Sequence, residues 1–310
     1  MSDQLQGQVA LVTGASRGIG KGIALELGAA GATVYVTSRS GRADGTLPGS
    51  IGETADEISE LGGTGIGIVC DHLHDEEVRA VLARIDRDQG RLDVLVNNVY
   101  SSPALAPWLG KPFWELPLEA WDQIFDIGVR SHYVASALSA PIMIRHRRGL
   151  IVNVSSPGAD HYMHNVVYGV GKSALDRMTA DMSHELADVG VAVVSVWPGI
   201  TRTEFTGRAP RDDLGRQMLT LPGEGQVDLD NAETPRFSGR GVVALASDPS
   251  VARHSGKALR IRHLAELYKF TDIDGRVPSL DRSVRAIPGT YEGPTPNSLL
   301  RNPEGRDERS

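Results

Sequence analysis

Short apolar runs alternating with longer segments of helical period constrain this chain more than any other feature of its sequence. The first run is Val9-Ala10-Leu11-Val12-Thr13, followed by a helical pattern over residues 18–30. The pattern then repeats, with a strand at 32–37, a helix at 51–61, a strand at 65–70, a helix at 75–88 and the apolar run 92–98. Beyond a loop containing Pro and Trp, it predicts a long helix over 118–146, a strand at 150–154, a helix at 166–189 and a strand at 191–196. Strands that read as near-continuous apolar runs are buried on both faces, and strands separated by helices of this length form right-handed βαβ units. The expected fold class is α/β, a doubly wound parallel sheet. No internal repeat or linker divides the chain, so residues 1–310 are expected to form one domain.

Past Pro198 the pattern loosens. Residues 201–234 are polar and punctuated by Gly and Pro, as in a mobile surface segment or lid. One more helix is expected at 238–246 and one more strand at 257–261, and residues 276–310 read as an irregular tail. A net charge of −7 argues against nucleic acid or an anionic membrane as the main partner, since both attract basic patches. Small molecules are the expected partners. The single cysteine, Cys70, cannot form an intrachain disulfide and ends an apolar run, so it is expected to be buried in a reducing compartment. The opening MSDQLQGQ carries no signal-peptide pattern and no apolar stretch reaches membrane-spanning length, which predicts a soluble, cytoplasmic protein.

Two local motifs carry chemistry. In Thr13-Gly14-Ala15-Ser16-Arg17-Gly18-Ile19-Gly20, glycines fall between the first strand and the first helix. There they permit a tight turn and close backbone approach, and the helix N-terminus offers unpaired N–H groups to a pyrophosphate. In Val167-Tyr168-Gly169-Val170-Gly171-Lys172-Ser173, Tyr168 and Lys172 stand four residues apart, close to one helical turn. Both would project from one face, where an ammonium favours the phenolate form of a phenol. Taken alone, such a pair is more often an ordinary surface feature.

Together these motifs resemble the short-chain dehydrogenase/reductase family, over residues 7–262. Further landmarks of that resemblance are Asp71, Asn97-Asn98, Ser155-Ser156, and Pro198-Gly199 with Thr203, in order after successive strands. The strings NNVY, SSPG, YGVGKSA and WPGITRTE point to one narrow subgroup. The resemblance implies a Rossmann fold and a nicotinamide-dependent oxidoreductase acting on a ketone, an aldehyde or, in reverse, a secondary alcohol. Tyr168 would be the general acid or base and Lys172 would tune it and bind the nicotinamide ribose. Ser156, with Ser155 as the alternative, would polarise the carbonyl. Gly14, Ser16, Arg17, Gly18, Ile19 and Gly20 would hold the pyrophosphate. Asp71 would meet the adenine, Asn97 the adenosine side, and Pro198, Gly199, Ile200 and Thr203 the nicotinamide end. After the second strand stand Ser38 and Arg39 where an acidic residue would select NAD. Arg39 with Arg17 therefore favours NADP(H) over NAD(H).

Two residues depart from the family pattern. Tyr100 replaces a small residue after Asn97-Asn98-Val99. Gly128 stands where the family's long helix supplies an asparagine that helps place a water linked to the lysine. The resemblance implies that this water is held through the main-chain carbonyl of a locally distorted helix; a glycine keeps that carbonyl and tolerates the distortion, at about 1 kcal/mol in helix propensity. The expected pocket, formed by Tyr100, Ser101, residues 108–114, residues 161–164, Trp197 and the lid, is large and partly aromatic, which suits an apolar carbonyl. Tyr162 is read as pocket wall, and His161 and His164 as surface or pocket residues rather than metal ligands. The competing functional reading is a dinucleotide-binding sensor or scaffold without catalysis, motivated by Gly128 and Tyr100. Leu175, Met178, Met182, Leu186 and Val189 form an apolar stripe that is core or subunit interface. The family resemblance implies a homodimer or homotetramer.

Overall fold

The computed structural model describes residues 4–39, 41, 48–100, 106–221, 225–278 and 284–285. Seven parallel strands form the central sheet in the order β3-β2-β1-β4-β5-β6-β9. They are β1 (Val9–Thr13), β2 (Thr33–Ser38), β3 (Thr64–Val69), β4 (Val94–Asn97), β5 (Gly149–Val154), β6 (Val191–Trp197) and β9 (Ala258–Arg260). Every residue of β1, β4 and β6 is buried, which explains why their sequences show no polar alternation. Each face of the sheet carries its own core. On one face Val12, Val96, Val152 and Val194 meet Ile23, Leu27 and Phe237. On the other, Leu11, Leu95, Ile151 and Val193 meet Val81, Ile85, Ala135 and Met143.

The connecting helices are α1 (Gly18–Ala29), α2 (Ile51–Glu60), α3 (Asp75–Gln89), α4 (residues 119–145), α5 (Val166–Leu186) and α6 (Pro235–Ser247). Ser50 and Glu53 form a reciprocal capping box at the start of α2, and Gly90 stops α3 in the left-handed region. Helices α1 and α6 cross with almost no separation. A Cβ at Gly22 would lie 2.2 Å from the Pro235 carbonyl carbon, so only glycine fits there.

Helix α4 spans the long helix the sequence predicts and carries a local distortion around Gly128, as the resemblance implies. It begins as an α-turn at Glu119–Asp122, continues as a π-helix over Gln123–Arg130 and resumes α-geometry over Ser131–Arg145. Gly128 lies inside the π segment. Such insertions are frequent where a helix serves a site.

The described residues of 201–234 are more ordered than their composition suggests. The strands β7 (Met218–Leu221) and β8 (Gly225–Asp228) pair antiparallel, and Val227, Leu229 and Ala232 form a small core with Ile200 packed against it. The expected irregular tail also contributes structure, because β10 (Val284–Arg285) pairs with β8. Residues 279–283 and 286–310 of that tail lie outside the described residues. A further helix, α7 (Ile261–Tyr268), follows β9 where the sequence reading placed none, and buries Ile261, Leu264 and Ala265 at helical spacing. The apolar stripe on α5 faces mostly inward: Leu175 and Leu186 are buried, and Met182 and Val189 pack on the core.

Candidate active site

The sheet order reverses between β1 and β4, and the ends of strands diverging at such a switch point leave a crevice. A cleft of about 500 Å³ opens there. Its lining includes Gly14, Ser16, Arg17, Gly18 and Ile19 after β1, Ser38 and Arg39 after β2, and Asp71 after β3. Asn98, Val99 and Tyr100 follow β4, Ser155 and Ser156 follow β5, and Pro198, Gly199, Thr203, Glu204 and Phe205 follow β6. Tyr168 and Lys172 of α5 complete the wall.

At the phosphate-binding turn, Gly14 and Gly18 adopt φ of +66° and +60°, which side-chain-bearing residues rarely tolerate. Gly20 lies outside the cleft lining and acts through packing, since a Cβ there would meet Asn98 Nδ2 at 2.3 Å. Asn98 in turn donates from Nδ2 to the carbonyls of Thr13 and Gly14, holding the turn in shape. The N–H of Gly18, first residue of α1, donates to Glu204 Oε2 at 2.8 Å. A carboxylate oxygen is an anionic acceptor, so this helix N-terminus can present its N–H to an anion. The turn, the cleft and the two arginines fit a dinucleotide.

Tyr168 sits in the first turn of α5, whose N-cap Asn165 accepts the Tyr168 N–H at 3.0 Å. Its phenol donates to Ser156 Oγ at 2.8 Å, and Ser156 Oγ also accepts from Gly158 N at 3.1 Å. Ser155 turns the other way and donates to the Lys172 carbonyl at 3.3 Å. One helical turn beyond Tyr168, the buried Lys172 donates from Nζ to the Val154 carbonyl at 3.2 Å, with Nζ 5.9 Å from the Tyr168 ring centroid. Burial, opposed by the charge of Asp176, pushes the Lys172 ammonium down to about 8. The edge of the His164 ring packs on Tyr168, with centroids 4.7 Å apart. This set can present a phenolic proton and a hydroxyl to one oxygen, with a cation beneath.

Other expected site residues are placed differently. Asn97 is fully buried and donates from Nδ2 to Ser136 Oγ and Asn153 Oδ1, so the residue facing the cleft is its neighbour Asn98. Ile200 packs beneath the β7–β8 hairpin and is not part of the cleft lining. Trp197 is not pocket wall. Its Nε1 donates to Asp176 Oδ2 at 3.0 Å and Arg260 stacks over its ring. Tyr162 is exposed, and Ser101 lies outside the described residues. Among the cleft-lining residues missed in the sequence are His72, Ile127, Glu204 and Phe205; for Glu204 the Thr-Glu pair after Pro198-Gly199 was the available signal. Among the described residues no cluster of His, Cys, Asp and Glu could hold a metal, and no helix is long and apolar enough to cross a membrane.

Over residues 8–214 the chain matches the family model of the short chain dehydrogenases. The chain belongs to this family, whose members are oxidoreductases that use a nicotinamide cofactor. It is 47% identical over 280 residues to dehydrogenase/reductase SDR family member 1 of Mus musculus, covering 88% of this chain and 85% of that protein, and it falls in that relative's subgroup. The fold is similar to that of a 7α-hydroxysteroid dehydrogenase complexed with NADH and 7-oxo glycochenodeoxycholic acid, at TM-score 0.68 and 25% identity, covering 84% of this chain and 94% of that one. It is also similar to a metagenomic short-chain oxidoreductase in complex with NADP, at TM-score 0.64 and 28% identity, covering 83% and 98%.

Proposed function

We propose that this protein is an NADPH-dependent reductase of apolar ketones or aldehydes, with oxidation of the secondary alcohol as the reverse reaction. The observation that carries this reading is the 2.8 Å hydrogen bond from Tyr168 to Ser156 above the Lys172 ammonium, in the same cleft as Arg17 and Arg39. A nicotinamide bound in the cleft would supply the hydride. Tyr168 then gives its proton to the carbonyl oxygen, Ser156 polarises that oxygen, and the Lys172 ammonium favours the phenolate left behind. Gly14, Ser16, Arg17, Gly18 and Ile19 would hold the pyrophosphate, Asp71 the adenine, and Pro198, Gly199 and Thr203 the nicotinamide end. Tyr100, Ile127 and Phe205 give the cleft an apolar side suited to a carbonyl carried on hydrocarbon. A homodimer or homotetramer belongs to the same reading, supported by exposed Trp121 and Tyr133 on α4 and Val166 and Val170 on α5.

Titration with NADPH and NADH, followed by turnover on a panel of steroid, quinone and acyl ketones, tests the proposal. Tighter binding of NADPH and its consumption with a carbonyl are expected. Binding without consumption across the panel would favour a sensor or scaffold instead. For Arg39→Ala, the Kd for NADPH is expected to rise about tenfold, or about 1.4 kcal/mol, with little change for NADH. An equal rise for both cofactors would remove Arg39 from 2′-phosphate recognition.

Glu204 competes for the N–H that a pyrophosphate oxygen would take. Glu204→Ala is therefore expected to tighten dinucleotide binding by roughly fivefold, about 1 kcal/mol at a helix N-terminus. Fluorescence titration reads the change, and weaker binding would show that Glu204 assists the cofactor instead.

A further inference from the structure

Behind the Tyr168–Lys172 pair, the two residues that depart from the family pattern touch each other. The Tyr100 ring stands edge-on to the Tyr168 ring, with centroids 6.2 Å apart and planes at 84°. The Lys172 ammonium lies over the Tyr100 ring, 4.6 Å from its centroid. Tyr100 also lies against Gly128, where a Cβ would fall 3.4 Å from Tyr100 Cδ2 and 3.6 Å from Cε2. A methyl would just touch the ring, so a longer side chain directed there must displace it. The crevice bounded by Tyr100, Ile124, Gly128, Val129, Gly171 and Lys172 leaves no room for the centre of a water molecule.

The Lys172 ammonium is thus cut off from solvent on this side. Besides its bond to the Val154 carbonyl, it has the negative face of an aromatic ring as a neighbour, an arrangement that gains strength when water is excluded. The titratable groups acting around it are Tyr168 and Asp176 on α5, His132 on α4, and Tyr100 itself. Burial pushes His132 down to about 3, leaving it neutral at working pH, and raises both Asp176 and Tyr100.

We propose that Tyr100 and Gly128 form one device: the Tyr100 ring fills the space a side chain at 128 would occupy and holds the Lys172 ammonium in place by its π face. Tyr100 is then a positioning residue acting through Lys172, and no water relay passes through α4 at this point. The part played in turnover rests on the reductase reading, whereas the shared volume and the hold on Lys172 do not.

Two measurements independent of activity test it. In the first, thermal midpoints are compared for Gly128→Asn, Tyr100→Ala and the double variant. Gly128→Asn alone and Tyr100→Ala alone are each expected to lower the midpoint, the first because its amide meets the ring, and the double variant should lose clearly less than the sum of the two. Strictly additive losses would overturn the shared volume. In the second, the ε-carbon of Lys172 is titrated by NMR, its signal assigned with Lys172→Met. Tyr100→Leu removes the π face that favours the charged form, so the titration should move to lower pH by about one unit, and Tyr100→Phe should return it. The alkaline limb of kcat/KM should move in the same direction. An unmoved Lys172 titration in Tyr100→Leu would overturn the positioning role. Absence of carbonyl turnover in the unmodified protein would instead overturn the reductase reading and leave both measurements decisive.

Discussion

Tyr168→Phe is expected to bind NADPH with nearly unchanged affinity and to lose roughly a thousandfold in kcat. The substitution removes one oxygen and keeps the ring, which packs on His164 and lies over Gly158. A Cβ at Gly158 would fall 2.5 Å from Tyr168 Cε1, so the ring is fixed by its neighbours and not by its hydroxyl. What disappears is the phenolic proton held 2.8 Å from Ser156 Oγ. A positioned general acid contributes about 10² to 10⁴ in rate, and a thousandfold corresponds to about 4 kcal/mol of barrier. Stopped-flow titration of the cofactor and steady-state turnover on one carbonyl substrate separate the two effects. Turnover within a few-fold of the parent would remove Tyr168 from proton transfer, and loss of NADPH binding would mark it as a structural residue.

Much of this arrangement is legible in the sequence because it is local. The Tyr168–Lys172 spacing fixes a shared helix face whatever surrounds it, and the glycines after β1 fall where strand and helix boundaries already place a turn. Buried parallel strands announce themselves as apolar runs, so the sheet follows almost directly. The parts that escaped depend on contacts distant in sequence or on hydrogen-bond register. The resemblance implies a distortion near Gly128, but its π form over Gln123–Arg130 lies in backbone pairing and not in side-chain period. Which of Asn97 and Asn98 faces the cleft depends on strand parity, and a one-residue uncertainty at the end of β4 exchanges them. Trp197 looks like pocket wall until its indole is seen donating to Asp176, 21 positions away. The contact between Tyr100 and Gly128 is of the same kind: each appears in the sequence as a separate oddity, and only the fold joins them.

Glu233→Gln is expected to raise Tm by about 6 °C at pH 7 and to leave it nearly unchanged at pH 4. Glu233 precedes α6 and is 5% exposed. Its Oε2 accepts the Gly199 N–H at 2.9 Å, and a Cβ at Gly199 would come within 2.5 Å of Oε1, so the carboxyl is packed tightly against the Pro198–Gly199 turn of the cleft. The nearby Asp272 is served by three donors: the backbone and hydroxyl of Thr234 and the N–H of Ile273. Burial, and then the charge of Asp272 beside it, push the Glu233 carboxyl up to about 8. The sign follows from proton binding. Between about pH 4.5 and 8 the folded protein keeps a proton that the unfolded chain has released, so stability falls as pH rises through that window. By pH 7 the accumulated cost is roughly 3 kcal/mol, and a domain of this size converts each kcal/mol into about 2 °C. Glutamine preserves the acceptor for Gly199 and has no proton to lose, so its Tm should be flatter across this range. Thermal denaturation from pH 4 to 8 provides the comparison. A variant that tracks the parent at every pH, or is less stable at pH 7, would show that Glu233 is ionised in the folded protein and that the cleft turn rests on a buried charge.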